Sequence, residues 1–212
     1  MTLLVFDFDG TIADTLEAIV AMSNRLAPQY GLKPATPEEL TELRDLSFDQ
    51  LMRRVDVPLL PLFRLLRRVR RDLQAEITQL RPIPNMADTL RTLNELGQPM
   101  GILTSNSAEN VELFLRAHQL ETSFQFIQGG ASIFGKTRVL KKLMRQRSLN
   151  PSDLIYIGDE TRDIEASRRI GIPVAAVTWG FNSRQALLRH QPDYLLDEPI
   201  DLVAIAKGQK YQ

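Results

Sequence analysis

Beyond Pro84 the chain alternates short apolar runs with helical segments of about a dozen residues, and that rhythm restricts it to one class of fold. MGILTS at 100–105, FQFIQ at 124–128, LIYIGD at 154–159 and PVAAVTW at 173–179 read as strands. Between them, helical patterns cover about 85–96, 108–118, 137–147 and 162–170, with Gly97 and Gly171 as stops. Leu3–Phe8 is a further apolar run, closed by acid and Gly10, and reads as a buried strand. Strands spaced this way imply parallel βαβ units, and right-handed crossovers then lay helices on both faces of one sheet. The expected class is α/β, a Rossmann-like parallel sheet.

The stretch at 31–82 breaks the rhythm and holds no strand candidate. Asp14 with Glu17 reads as a capping pair for a helix over 15–27, ended by Pro28. Thr36 and Pro37 read as N-cap and first residue of the next helix. Pro58 and Pro61 interrupt the helical pattern, which resumes over LFRLLRRVRRDLQAEITQL until Pro82 and Pro84. The expected organisation is therefore a core of residues 1–14 and 83–212 with an all-helical insert, 15–82, after the first strand.

Composition removes several function classes. Among 212 residues, 26 basic side chains balance 26 acidic ones, so no strongly basic surface for nucleic acid is expected. The absence of cysteine excludes disulfides, thiolate metal sites and a cysteine nucleophile. No apolar run approaches a membrane span, and LLVF leads straight into Asp7 and Asp9, unlike a signal peptide. The expectation is a cytoplasmic protein with neither membrane nor nucleic-acid partner.

In an open α/β sheet, ligands bind outside the carboxyl ends of the strands. Reactive side chains collect at those ends: Asp7 and Asp9 after the first strand, Ser105 and Asn106 after the second, Asp159 after LIYIG, and Lys136 in the loop beyond FQFIQ. Clustered carboxylates repel one another and call for a divalent cation; oxygen-only donors favour Mg²⁺ beside a phosphate. An aspartate there can attack phosphorus, and a second two residues on can protonate the leaving oxygen if its pKa is held up. Lys136 would offset phosphoryl charge and the Ser105 hydroxyl would orient it.

DFDGTIADT at 7–15, LTSN at 103–106, Lys136 and IGDETRD at 157–163 resemble the four motifs of the haloacid dehalogenase superfamily, in the family's order. The resemblance spans nearly the whole chain and is nearest the phosphoglycolate phosphatase-like branch, whose late VTWGFNS stretch is echoed at Val177–Ser183. It implies a Mg²⁺-dependent phosphatase with a helical cap, acting on a small phosphorylated metabolite. It also implies Asp7 as nucleophile and Asp9 as general acid and base. The metal would be held by the Asp7 carboxylate, the Asp9 backbone carbonyl and Asp159. Thr11, Ser105, Asn106 and Lys136 would bind the phosphoryl group, and Asp163 would brace metal-bound water or Lys136. Where many relatives follow the lysine with proline, this chain has Thr137.

Rival readings use overlapping residues. A phosphosugar mutase would use the same set but return the phosphoryl group to bound substrate. A dehalogenase has no need of Asp9. A non-enzymatic phosphate-binding or regulatory protein would keep the pocket without turnover. GASIFGKT at 130–137 also satisfies the P-loop pattern, but a P-loop NTPase would leave Asp7, Asp9 and Gly10 without a task. His118 and His190 read as surface residues, and Trp179 as structural. The run Arg53–Arg71 holds seven arginines against Asp56 alone. It reads as the solvated face of the insert's helices, or as the source of one or two arginines that reach the site and select an anionic substrate tail. The apolar Val57–Leu66 stretch reads either as core of the insert or as a contact between subunits.

Overall fold

The computed structural model describes residues 1–54, 59–130 and 135–208. Its centre is a six-stranded, all-parallel sheet: β1 (Leu3–Phe6), β2 (Met100–Leu103), β3 (Ile127–Gln128), β4 (Leu154–Gly158), β5 (Val174–Val177) and β6 (Tyr194–Leu196), in the order β3-β2-β1-β4-β5-β6. β1, β2, β4 and β5 are buried at every position, as parallel strands covered on both faces must be. Alternate side chains feed two cores. Leu4, Phe6, Ile155 and Ile157 join one cluster. Leu3, Val5, Leu154 and Tyr156 join another with Leu140 and Leu143 of helix α7 (Lys136–Arg147). The α/β class read from the spacing is the class observed.

The helices follow the expected order, with shifted ends. α1 (Leu16–Leu26) starts from Thr15, and no side chain caps it; Asp14 is exposed, so the expected Asp14 cap is corrected. The Asp14 backbone N–H instead bonds the Arg81 carbonyl, where the chain leaves the core, and the helix starts one residue later. α2 (Pro37–Arg44) carries the expected Thr36 cap, completed as a capping box by Glu39. α3 (Phe48–Arg54) follows, and α4 (Leu59–Asp72) accommodates Pro61 in its first turn, where no intrahelical N–H bond is lost. α4 stops at Asp72, and the chain continues as a single 3₁₀ turn and further turns to Leu80 instead of the long helix expected there. Then come α5 (Met86–Glu95), α6 (Ala108–Ala117), α7, α8 (Thr161–Arg168), α9 (Arg184–Arg189) and α10 (Asp201–Ala206). Among the described residues, no helix is long and apolar enough to cross a membrane.

The inserted helices share the sheet's core. Met22, Leu26, Leu65, Val69, Leu73 and Ile77 are continuous with the cluster beneath β1 and β2. Within the apolar stretch 57–66, Val57 and Pro58 lie outside the described residues; Leu65 is buried and Leu60 exposed. One strand reading differs in extent, and one strand was not read. FQFIQ supplies only Ile127–Gln128 to the sheet, and β6 is a three-residue strand in a polar neighbourhood with no clear apolar run.

Candidate active site

β1 and β4 are adjacent, with Phe6 opposite Ile157, and the strand order reverses between them. That switch point is where a parallel sheet opens a crevice at its carboxyl edge. Asp7 leaves β1 there, its N–H bonded to the Ile157 carbonyl at 2.8 Å, and Asp159 follows β4 directly. Asp7, Asp159 and Asp163 each present an oxygen within 4.8 Å of the others, and all three are buried. Lys136, at the first turn of α7, enters this group and lies 2.5 Å from both Asp7 Oδ2 and Asp163 Oδ1. Four separate segments thus deliver four charged side chains to one buried point.

Each carboxylate is held by specific donors. Asp7 Oδ1 accepts the Phe8 N–H at 2.8 Å. Asp159 accepts the Thr11 hydroxyl at 2.9 Å and the Phe181 N–H at 2.7 Å. Asp163 also accepts the Glu160 N–H in a reciprocal capping box, so it both pairs with Lys136 and caps α8. Asp9 accepts the Asn106 amide on both oxygens at 3.1 Å, while the Asn106 carbonyl is fixed by Ser107 and Asn110. Two close approaches to Asp159 need glycine. Gly10 sits at φ +73, and a Cβ there or on Gly180 would overlap the Asp159 carboxylate.

Burial sets the protonation balance. It pushes the Asp9 carboxyl up to about 6, aided by the Asp7 charge and opposed by Asn106, Thr15 and Arg70. Burial, with the charges of Glu160, Asp7 and Asp163, drives Asp159 well above the usual carboxylate range. Burial alone would lower the Lys136 ammonium, but Asp163 and Asp7 outweigh it and hold it well above its ordinary value. One ammonium cannot neutralise three carboxylates: burial raises Asp163 as well, to about 6, although Lys136 opposes it. An all-oxygen set with surplus negative charge fits a hard divalent cation.

A cavity of about 170 Å³ opens against this cluster. Asp9, Ser105 and Asp159 line it from the sheet, and Leu66, Val69 and Arg70 from α4. Of the expected site residues, Asp7, Asp159, Asp163 and Lys136 meet directly, Asp9 and Asn106 meet beside them, Thr11 bonds Asp159, and Ser105 stands on the cavity wall. The P-loop pattern at 130–137 has its residues 131–134 outside the described ones, and its Lys136 points to Asp7 and Asp163. His118 and His190 bond the Leu80 and Ala186 carbonyls, away from the cavity lining.

Sequence reasoning missed how the loop at 179–183 closes the site. Trp179 Nε1 donates to the Thr11 carbonyl at 3.1 Å. Arg44, at the end of α2, donates to the Gly180 and Phe181 carbonyls at 2.9 and 3.1 Å. Asn182 returns bonds of 3.0 Å to the Arg44 and Leu46 carbonyls. The loop that holds Asp159 is therefore tied to the inserted helices. The one signal in the sequence was the VTWGFNS stretch itself. Tyr156 was likewise read only as strand; its hydroxyl donates to the Leu103 carbonyl and its ring lies 5.4 Å from Lys136 Nζ.

The haloacid dehalogenase-like hydrolase family matches residues 4–177, and the chain belongs to that family. Over 203 residues, 96% of each chain, it is 40% identical to the phosphoglycolate phosphatase of Synechococcus elongatus. It is 25% identical over 209 residues to the pyrophosphatase PpaX of Bacillus pumilus, covering 95% of this chain and 94% of that one. A haloacid dehalogenase-like family hydrolase from Streptococcus pneumoniae shares the fold with a TM-score of 0.73 at 24% identity, covering 97% of this chain and 98% of that one. The chain is a phosphoglycolate phosphatase-like hydrolase of the haloacid dehalogenase type, and the NTPase, mutase and non-enzymatic alternatives are not favoured.

Proposed function

We propose that the chain is a Mg²⁺-dependent phosphomonoesterase that hydrolyses a small phosphorylated metabolite through an aspartyl phosphate on Asp7. 2-Phosphoglycolate, after the Synechococcus relative's name, is the first substrate to test. The observation that carries this reading is the buried meeting of Asp7, Asp159, Asp163 and Lys136 at the switch point, with Asp9 on the adjoining cavity.

The chemistry follows from the side chains. Asp7 Oδ, pinned by Phe8 N–H and Lys136, attacks phosphorus. Asp9, raised to about 6, keeps a protonated fraction near neutral pH, and that form gives its proton to the leaving alcohol. Asp9, held by Asn106, then takes a proton from the water that releases phosphate. Lys136 and Ser105 offset and orient the phosphoryl oxygens, with Asn106 and Thr11 keeping the two aspartates beside them in place. The Asp7 and Asp159 carboxylates and the Asp9 carbonyl would hold Mg²⁺, which when bound neutralises charge on the phosphoryl group. Asp163 braces Lys136 from behind.

Residues 15–82 serve as the cap over a core of 1–14 and 83–212, excluding bulk water when substrate is bound. We assign the activity to the cytoplasm, where charge retains small phosphorylated metabolites. The test is phosphate release from an aryl phosphate with and without Mg²⁺, for the wild type and Asp7→Asn. The reading requires activity that depends on both; metal-independent release, or full turnover by Asp7→Asn, would overturn it.

A further inference from the structure

The cavity's lining is uneven in one respect. On the side of the inserted helices its walls are apolar, with Ile19, Leu51, Leu66, Val69 and Leu73, and among the described residues the only charged side chain they contribute is Arg70. Arg70 is half-buried on the last turns of α4, and among the described residues no carboxylate lies within ion-pair distance of it. Its neighbours differ. Arg68 lies 2.5 Å from Asp72, and Arg162 of α8, which lines the same cavity, pairs with Glu160. Arg53, Arg64, Arg67 and Arg71 of the same run are exposed, so among the described side chains of the run only Arg70 lines the site.

A guanidinium placed among apolar walls without a counter-ion is costly to the folded chain and strongly attractive to an incoming anion. Burial and the Arg162 charge both work against it, and the charges of Asp9, Glu160 and Asp7 compensate only in part. The phosphoryl group is already served by Lys136 and Ser105 at the sheet edge. The unpaired cation enters the cavity from α4, whereas Lys136 and Ser105 enter from the sheet edge, so Arg70 is left to meet the leaving group. A cavity of about 170 Å³ is small beside common ligand sites of about 300–1,000 Å³, so that leaving group is short.

We propose that Arg70 is a specificity-determining residue: it binds a carboxylate on the leaving group, which selects short phosphorylated hydroxy acids over neutral phosphate esters. The inference rests on the phosphatase reading above. The planar fork of the guanidinium matches a carboxylate with two parallel hydrogen bonds, and the apolar walls strengthen the pair. A neutral leaving group buries the same cation and gives it nothing.

The experiment compares kcat/KM for 2-phosphoglycolate, ethyl phosphate and inorganic pyrophosphate, with Mg²⁺, in wild type, Arg70→Met and Arg70→Lys. The quantity read is the ratio of phosphoglycolate to ethyl phosphate. Arg70→Met lowers that ratio about 10- to 100-fold, the worth of a charge-assisted pair, and Arg70→Lys lowers it less. Arg70→Met also melts no lower than wild type, because an unpaired, half-buried cation has been removed. An unchanged ratio in folded Arg70→Met, or a wild type that treats phosphoglycolate and ethyl phosphate alike, overturns the proposal while leaving the phosphatase reading intact. An equal loss on pyrophosphate means that Arg70 attracts any anion, which overturns the carboxylate assignment. A wild type that releases phosphate from none of these compounds, nor from an aryl phosphate, overturns the phosphatase reading and this inference with it.

Discussion

Replacing Lys136 with methionine removes the ammonium while keeping an unbranched side chain of similar length, so packing changes little. Lys136 is 3% exposed and lies 2.5 Å from both Asp7 and Asp163, which are 4% and 0% exposed. Its loss leaves two buried carboxylates without their cation, beside an Asp159 already held high by its surroundings. Breaking a buried pair in this way costs about 3–5 kcal/mol. At about 2–4 °C per kcal/mol for a chain of this size, metal-free Lys136→Met should melt about 6–20 °C below wild type near pH 7.5. On acidification the orphaned carboxyls take up protons that the unfolded chain does not, so the deficit should shrink toward about pH 5. The assay is thermal melting in chelator across that range, with urea unfolding as a second measure. A variant within about 2 °C of wild type near pH 7.5 would refute the reasoning, since the buried cluster would then not be ionised.

Other consequences are equally direct. Without metal, stability should fall as pH rises from about 4 to 6, because folded Asp9 titrates near 6 and binds a proton that the unfolded carboxyl has lost. Asp72 and Asp197, held below the usual range by Arg68 and Arg184, lose their contribution only at more acidic pH and leave that window clear. Added Mg²⁺ should flatten this slope; melting curves in chelator and in Mg²⁺ check it, and identical pH profiles would count against a metal at the cluster. Asp9→Asn should lower kcat by about 10²- to 10⁴-fold, with the larger loss on alkyl than on aryl phosphates, because only the poor leaving group needs the proton. Gly180→Ala should cost about 1–3 kcal/mol of stability and weaken Mg²⁺-induced stabilisation, since its Cβ overlaps Asp159. Melting temperature with and without Mg²⁺ measures both effects.

Much of this architecture was legible because parallel strands buried on both faces are continuous apolar runs. Leu3–Phe6, Met100–Leu103, Leu154–Gly158 and Val174–Val177 announce themselves, and the residues directly after β1 and β4 are Asp7 and Asp159. That is why Asp7, Asp159 and Lys136 could be expected at one edge if their strands were neighbours, whereas the place of Asp163 came from the family resemblance. β6 escaped notice because an edge strand of three residues needs only Leu196 fully buried. The start of α1 was misplaced by one residue because the cap was judged from residue type, whereas the Asp14 N–H is bound by Arg81 across the chain reversal. Asn106 was legible as a site residue, but its hold on Asp9 depends on the turn fixed by Ser107 and Asn110. Arg44 and Arg70 lie outside any motif. Their partners, the loop at 180–181 and the cavity, are assembled only by tertiary packing, so a pattern of arginines could not separate them from the solvated ones.

The central claim is that phosphate leaves substrate by way of Asp7. The most direct measurement is acid quenching of the enzyme during turnover with Mg²⁺ and 2-phosphoglycolate or an aryl phosphate, followed by mass spectrometric mapping of its peptides. The account predicts a phosphorylated aspartate at position 7, absent from Asp7→Asn, whose turnover is lost. Sustained phosphate release with Asp7 unmodified, together with an active Asp7→Asn, would contradict it.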